Sequence, residues 1–566
     1  MHPDATDPAE VAPLPLTPEA VRRAERARPV YRNLSARAAF WAATALFALI
    51  GTIWSLASPV LSAPDEAAHA IKAAAVVRGQ FLGDETGLPA GRGTVEVPAL
   101  FVRAAELPLC YAPTGLGALQ PDGSLAPSAI PAACQPELTG DLDTVVPAVT
   151  SAVRYNPLYY LVAGVPSLFG SSMATLYWMR IAGAVAAAVL LGMAVRTAAE
   201  LGRSFWPMAA LLVAVTPTVV FLTGSINPQA VEIPAAVLAW TALLALVLTP
   251  HPAYEHRRLA RLTVGVAVVA NVRGLGPQFV LVIVAAVLLT ARWAVLRNLL
   301  RRRRTQVYLA LTGFSVLVAV AWNQLNVTLA TNPEVLFPMN TGAFILDFAV
   351  GKTDEFIRQS LGTFGWLTAQ LPMWSYLCLG AALLLVILVG FAAAGARERL
   401  AMAGVGLLVL VLPTWAEYTQ ARYINTFWQG RYALPLAVGV PLIAGFVMRR
   451  AGRSAVPDGL SRRLLVVLGL VVAALQTVAV IVDLRRYVTG IGRDATWFSW
   501  PDDAWLPPVH PYLLVAVDLA VGSALVAVLV RAANRPPTPV VAAPTPPPGP
   551  PAAPAAPPAR RVPAGS

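Results

Sequence analysis

The stretch APDEAAHAIKAAAVVRG, residues 63–79, sets two adjacent carboxylates, Asp65 and Glu66, ahead of His69 and Lys72. A carboxylate at the end of a long apolar run suits general-base work on a hydroxyl. It must reach within about 3 Å of the proton, and partial burial that raises its pKa helps. His69 follows Asp65 by four residues and Lys72 follows His69 by three, so a helix places all three on one face. Two carboxylates and a histidine are also a ligand set for a divalent metal ion. A plainer account runs alongside: Pro64 favours a helix start, and an acidic first turn is stabilised by the helix dipole whatever its function.

Arginines are the second group with chemistry to offer. Arg422 and Arg431 lie in WAEYTQARYINTFWQGRYALP (415–435), Arg485, Arg486 and Arg493 in DLRRYVTGIGRD (483–494), and Arg273 in the apolar run 262–290. The planar guanidinium makes charge-assisted, often bidentate bonds to phosphate oxygens. Snorkelling at the membrane interface is the alternative for any one of them. Trp366, Trp428 and Tyr432 would stack on a sugar or line a lipid groove, although aromatics at helix ends also serve as interface anchors. Glu417 and Asn227, the latter in GSINPQ (224–229), are supporting polar candidates.

These residues need a frame, and the composition supplies it. The chain has 566 residues, 57% hydrophobic and 13% charged, against about 25% charged in soluble domains. Apolar runs near 20 residues long recur, as membrane-spanning helices require. The expectation is an all-α polytopic membrane protein with about twelve transmembrane helices. Spans fall at 38–58, 173–195, 204–222, 228–249, 306–325, 373–395, 400–416, 431–448, 463–482 and 509–530, with a pair of broken helices in 262–290 around Asn271–Gly276. The first span reads as a retained anchor. Short arginine-rich connectors place both chain ends and alternate loops in the cytoplasm.

Three regions follow. Residues 1–37 form a basic cytoplasmic N-terminus, 38–530 the transmembrane domain, and 531–566 a disordered Pro/Ala-rich cytoplasmic tail. Within the domain, 59–172 is a long extracytoplasmic first loop and 326–372 a second. The proline-broken apolar run 156–170 suits an element lying in the interface. All the polar motifs above fall on the outer face. The net charge of +12 follows the connectors, and with no recognition motif it does not indicate nucleic acid; no Walker or Rossmann pattern points to a nucleotide. Cys110 and Cys134 share the first loop, where either a disulfide or two free thiols is open.

APDEAAHAIKAAAVVRG, LGTFGWLTAQLP (361–372) and WQGRYALP (428–435) resemble, in that order, the signatures of the bacterial multi-pass family catalogued as domain of unknown function 2142. That family looks related to the GT-C superfamily of lipid-carrier-dependent glycosyltransferases. The resemblance implies a GT-C-like fold and transfer of a sugar from a polyprenyl-phosphate donor to a cell-envelope glycan acceptor at the outer leaflet. It implies Asp65 as the catalytic carboxylate with Glu66 beside it. The guanidinium chemistry above then sets Arg431 with Arg422 or Arg486, and with Arg273 and Lys72 as further candidates, on the donor phosphate. His69 would hydrogen-bond Asp65 or contact the phosphate. No cofactor is required by this reading, and a divalent metal is compatible with it. Where the family pattern leads one to expect an acid after SIN, this chain has Gln229. The other readings are a transporter or flippase of a lipid-linked glycan and a noncatalytic envelope-assembly protein.

Overall fold

The computed structural model describes residues 33–88, 91–111, 130–326, 341–424, 428–452, 456–490 and 502–537. The expectations for Arg493, for the side chain of Arg422, for most of the N-terminal region and for the Pro/Ala tail lie outside those residues.

The protein is a bundle of membrane-length helices. Among the described residues nine meet the length and apolarity needed to cross a membrane, and a tenth span is formed by a bent pair. In chain order the helices used below are α1 (Ala36–Ala57), α2 (Glu66–Val76), α3 (Met173–Ala199), α4 (Phe205–Ala214), α5 (Pro217–Thr223), α6 (Gln229–Val247), α7 (Glu255–Val272) and α8 (Gly276–Thr290). They continue with α9 (Arg303–Leu325), α10 (Thr353–Gly362), α11 (Met373–Ala393), α12 (Ala396–Ile424), α13 (Gly439–Ala451), α14 (Asp458–Val488) and α15 (Pro511–Ala533). Outward-facing side chains such as Phe314, Leu317 and Leu388 are apolar and exposed, the reverse of a soluble surface and the mark of lipid contact. The chain is a multi-pass membrane protein.

Two breaks matter. The span expected at 204–222 is not straight: α4 and α5 meet at 67°. Pro217, in the first turn of α5, has no N–H to continue the helix, and the Thr216 side chain caps the new one by accepting from Val219 N. The pair expected within 262–290 is present as α7 and α8, parted at Arg273–Leu275. Central to the bundle, α6 is buried along its whole length. Small residues let helices approach closely, as membrane packing favours: a side chain at Gly192 of α3 would stand 2.0 Å from Thr44 Oγ1 of α1.

The loop between α1 and α3 is built on α2 and a two-stranded antiparallel sheet, β1 (Gly93–Pro98) with β2 (Val145–Thr150), Gly93 pairing Thr150. Cys110 and Cys134 form a disulfide in it. Residues 156–170 make two short helical segments that leave Leu161, Val162, Val165, Leu168 and Phe169 exposed. The element is too short to span and carries an apolar outer face.

One buried ion pair ties this loop to the bundle. Arg180 of α3 and Glu66 of α2 meet in a two-pronged pair, Nε–Oε1 and Nη2–Oε2 both 2.7 Å. The remaining Arg180 donors go to the carbonyls of Ser55, Ser58 and Pro59 at the end of α1. Glu66 also accepts from the backbone N–H groups of Ala63 at 3.1 Å and Ile226 at 2.8 Å. All five guanidinium protons are used and both carboxylate oxygens are doubly engaged, the condition under which a buried pair is tolerated. Breaking one partner leaves an uncompensated buried charge. Arg180→Met is therefore expected to cost about 3–5 kcal/mol, read as a lowered thermal unfolding midpoint of the detergent-solubilised protein; an unchanged midpoint would show that the pair does not hold the loop.

Candidate functional site

Asp65 precedes α2 in a left-handed backbone conformation, φ 65° and ψ 0°. Helix N-cap residues normally take the extended region and cap the helix with their side chain. Asp65 does neither: its side chain makes no capping bond. Holding a non-glycine residue there costs on the order of 1 kcal/mol, least for Asp and Asn. The effect is to turn the carboxylate off the helix and toward Arg431, with Oδ2 2.7 Å from Nη2. The Asp65 side chain keeps 51% of its surface exposed while that of Arg431 keeps 5%. Arg431, with Pro64, Gln359 and Gln429, lines a small recess, and the half-exposed Asp65 carboxylate stands next to that wall.

Arg431 is placed by a stitched backbone. The segment Trp428–Arg431 sits against α10, where Gln359 Oε1 accepts from Gly430 N at 2.7 Å and Ser360 Oγ donates to Gly430 O at 3.0 Å. A side chain at Gly430 would come within 2.2 Å of Phe356 O, so only glycine allows that approach. Glu417 of α12 accepts the Trp428 backbone N–H. Gln229 Nε2 donates to Arg431 O at 3.0 Å, and Asn227 Nδ2 reaches Pro64 O at 3.4 Å. The GSINPQ loop therefore bridges the backbones on either side of the Asp65–Arg431 pair.

A second arginine completes the group. Arg273 lies over the Tyr432 ring at 4.6 Å and Arg431 over the same ring at 5.1 Å, a cation–π arrangement that keeps two like charges close. Arg273 pairs with Glu232 of α6 at 3.7 Å. Arg431 spends Nε on Gln429 and Nη2 on Asp65, and its buried Nη1 has no partner among the described residues. A buried donor left unpaired costs stability, and here it lies beside the exposed carboxylate.

His69 shares a 2.8 Å hydrogen bond between Nδ1 and the Tyr160 hydroxyl and stacks edge-on to Tyr155. Burial pushes the Asp65 carboxyl up, but Arg431 foremost, with Arg273, outweighs this and holds it below its ordinary value. Burial, aided by Arg273 and Arg431 and opposed by Asp65, pushes the His69 imidazole down to about 3.

Several expected roles change. Glu66 does not join Asp65 as a second acid or as a metal ligand, because its oxygens are taken by Arg180 and two backbone amides. Among the described residues no three His, Cys, Asp or Glu side chains converge as metal ligands, so the Asp65–Glu66–His69 ligand set does not form. Lys72 is buried and donates to the carbonyls of Phe81 and Val153 at 2.5 and 2.6 Å, tying the first loop together; burial pushes its ammonium down to about 8. Arg486 binds Thr368 Oγ1 and the carbonyls of Ile130 and Tyr111, clamping the disulfide-bearing segment instead of facing Asp65. Trp366 lies in the turn between two short strands, β3 (Thr363–Phe364) and β4 (Ala369–Gln370), and Trp428 packs edge-on to Tyr432 at 5.5 Å.

Two charged residues of this region, Arg180 and Glu232, lie in spans and outside the sequence expectations. Both carry a readable signal, an ionisable residue within an otherwise apolar helix. Glu232 lies three residues beyond Gln229 on the same helix face, so an acid near the SIN motif is present one turn later.

These features define a polytopic α-helical membrane protein with a polar, cation-walled recess at its loop-bearing end. The chain belongs to the DUF2142 family, described as predicted membrane proteins, whose family model matches residues 47–440. Among curated proteins none matches this sequence.

The His69 shift carries a sign. The folded imidazole is depressed from about 6.5 to about 3, so its contribution is complete above 6.5 and is lost as pH falls toward 3. The thermal midpoint is expected to fall between pH 7 and pH 5, with a flatter profile in His69→Gln; an equally steep profile in that variant would remove His69 as the cause.

Proposed function

We propose that the protein is a glycosyltransferase that moves a sugar from a polyprenyl-phosphate donor to a cell-envelope glycan hydroxyl at the outer leaflet of the plasma membrane, with inversion. The observation that carries this reading is the pairing of a half-exposed, strained Asp65 with a buried Arg431 that keeps one donor unpartnered among the described residues. The disulfide of the first loop suits an oxidising compartment, and the arginine-rich connectors lie at the opposite end of the bundle. Both favour an outward-facing recess.

In this reading Asp65 takes the proton of the acceptor hydroxyl, and that oxygen attacks the anomeric carbon. The bond from that carbon to the phosphate oxygen breaks, and its electron pair leaves with polyprenyl phosphate. The leaving phosphate gains one negative charge, which Arg431 through Nη1 and Arg273 would stabilise. Tyr432 spaces the two guanidinium groups. Glu232 orients Arg273, and Glu417 and Trp428 position the segment that bears Arg431. Asp65 held low by Arg431 is a weak base. A donor phosphate that engages Arg431 and Arg273 competes for those charges and raises the Asp65 carboxyl, so the base gains strength when the donor is loaded. No step requires a metal ion.

The test is transfer from labelled polyprenyl-phosphate sugars in proteoliposomes, with cell-wall extract as acceptor. Asp65→Asn is expected to lower turnover by about 10²–10⁴-fold while donor binding persists. Arg431→Gln is expected to weaken donor binding. Full turnover in Asp65→Asn would remove Asp65 as the base. Donor bound but never consumed by the wild type, with movement across the bilayer instead, would make the protein a transporter.

A further inference from the structure

The end of the bundle opposite Asp65 holds a second polar cavity, of about 570 Å³, that the reading above does not use. It lies between the start of α1, the end of α3, the start of α7 and the chain just after α15. Ser35, Arg37, Trp41, Arg196, Arg257 and Arg535 line it. Since α1 has 22 residues at about 1.5 Å each, the cavity sits roughly 33 Å from the Asp65 end, at the far membrane surface.

Its charge is unbalanced. Among the described residues the one acid in the lining, Glu200, is claimed by Arg261 of α7, both oxygens within 2.9 Å of guanidinium nitrogens, with Arg196 Nε 3.5 Å from Oε1. Arg37, Arg257 and Arg535 make no ion pair or side-chain hydrogen bond among the described residues. Arg196 and Arg257 lie close enough for their charges to repel. Among the described residues, four guanidinium groups therefore face one cavity with a single, already paired carboxylate. The α1 N-terminus adds to this: Ser35 Oγ accepts from Ala38 N at 3.1 Å, and the positive end of a 22-residue helix opens on the cavity. Like charges gathered without counter-charge are stabilised by an anion.

The cavity's rim identifies the source of that anion. Trp41, 61% exposed, stands on the lipid-facing side of α1 one turn above Arg37, where an indole anchors at headgroup depth. A free ion would need no such apolar flank. We propose that this cavity binds the phosphate headgroup of an anionic phospholipid of the leaflet opposite the Asp65 recess, with Arg37, Arg196, Arg257 and Arg535 around the phosphate and the acyl chains passing Trp41. Basic pockets between spans on the arginine-rich side are the setting in which such headgroups bind.

The test uses the full chain, purified in neutral detergent and offered equal amounts of phosphatidylglycerol and phosphatidylcholine with the same acyl chains. Native mass spectrometry counts the retained lipids. The wild type is expected to favour phosphatidylglycerol by about tenfold, and Arg37→Gln/Arg257→Gln to lose that preference. Both replaced side chains are exposed and free of ion pairs, and size exclusion confirms that the variant folds. Arg301→Gln/Arg304→Gln, on the same end but outside the cavity, is expected to keep the preference. Equal loss in both double variants would mean general surface attraction and overturn the site, as would no preference in the wild type. A site filled by inorganic phosphate alone, with the two lipids retained equally, would overturn the lipid assignment.

Discussion

The Glu66–Arg180 pair is the interaction on which the arrangement of the recess depends. It joins the last carbonyls of α1, the first turn of α2, α3 and the loop before α6 at one buried point. The end carbonyls of a helix have no partners within it, and here a side chain from another span supplies them. Because the pair is fully hydrogen-bonded, it fixes where α2 begins. Asp65, one residue earlier, has no freedom to choose its own direction.

Two neighbouring acids therefore do opposite work. Glu66 faces inward and is saturated; Asp65 is forced into a left-handed turn and faces the opening. The strain, on the order of 1 kcal/mol, is small beside the cost of leaving either charge of the Glu66–Arg180 pair unpaired, so the fold sustains it. On the other side of the recess, α10 and the GSINPQ loop hold the Arg431 backbone. Two rigid walls meet across an exposed carboxylate, with Tyr432 between two arginines. The electrostatics depend on that geometry: charges separated by 366 positions in sequence are 2.7 Å apart.

Much of this was legible in the sequence. Apolar runs separated by arginine-rich connectors gave the spans, the two prolines in 156–170 marked a segment too broken to span, and the length of 262–290 with the arginine-rich connector after it gave the paired helices around Arg273. The choice of Asp65 and Arg431 came from residue type at a helix end, and both stand at the recess. The distinct role of Glu66 could not be read, since it depends on Arg180 lying opposite it in three dimensions. Lys72 and Arg486 have the chemistry of phosphate ligands, yet backbone carbonyls of folded loops reach them first. The bend between α4 and α5 was announced by Pro217 but was masked by the apolar run around it. Arg180 and Glu232 are legible as charges in apolar helices, but which partner each takes depends on neighbouring helices that the sequence does not pair.

The central claim is that Arg431 and Arg273 face a lipid-linked phosphate beside Asp65. A structure determined with a polyprenyl phosphate bound tests it most directly. The account predicts phosphate density within hydrogen-bonding distance of the Arg431 Nη1 atom, with the Asp65 carboxylate facing the open side of the recess. Phosphate density elsewhere in the protein, with the Asp65–Arg431 pair undisturbed, would contradict it.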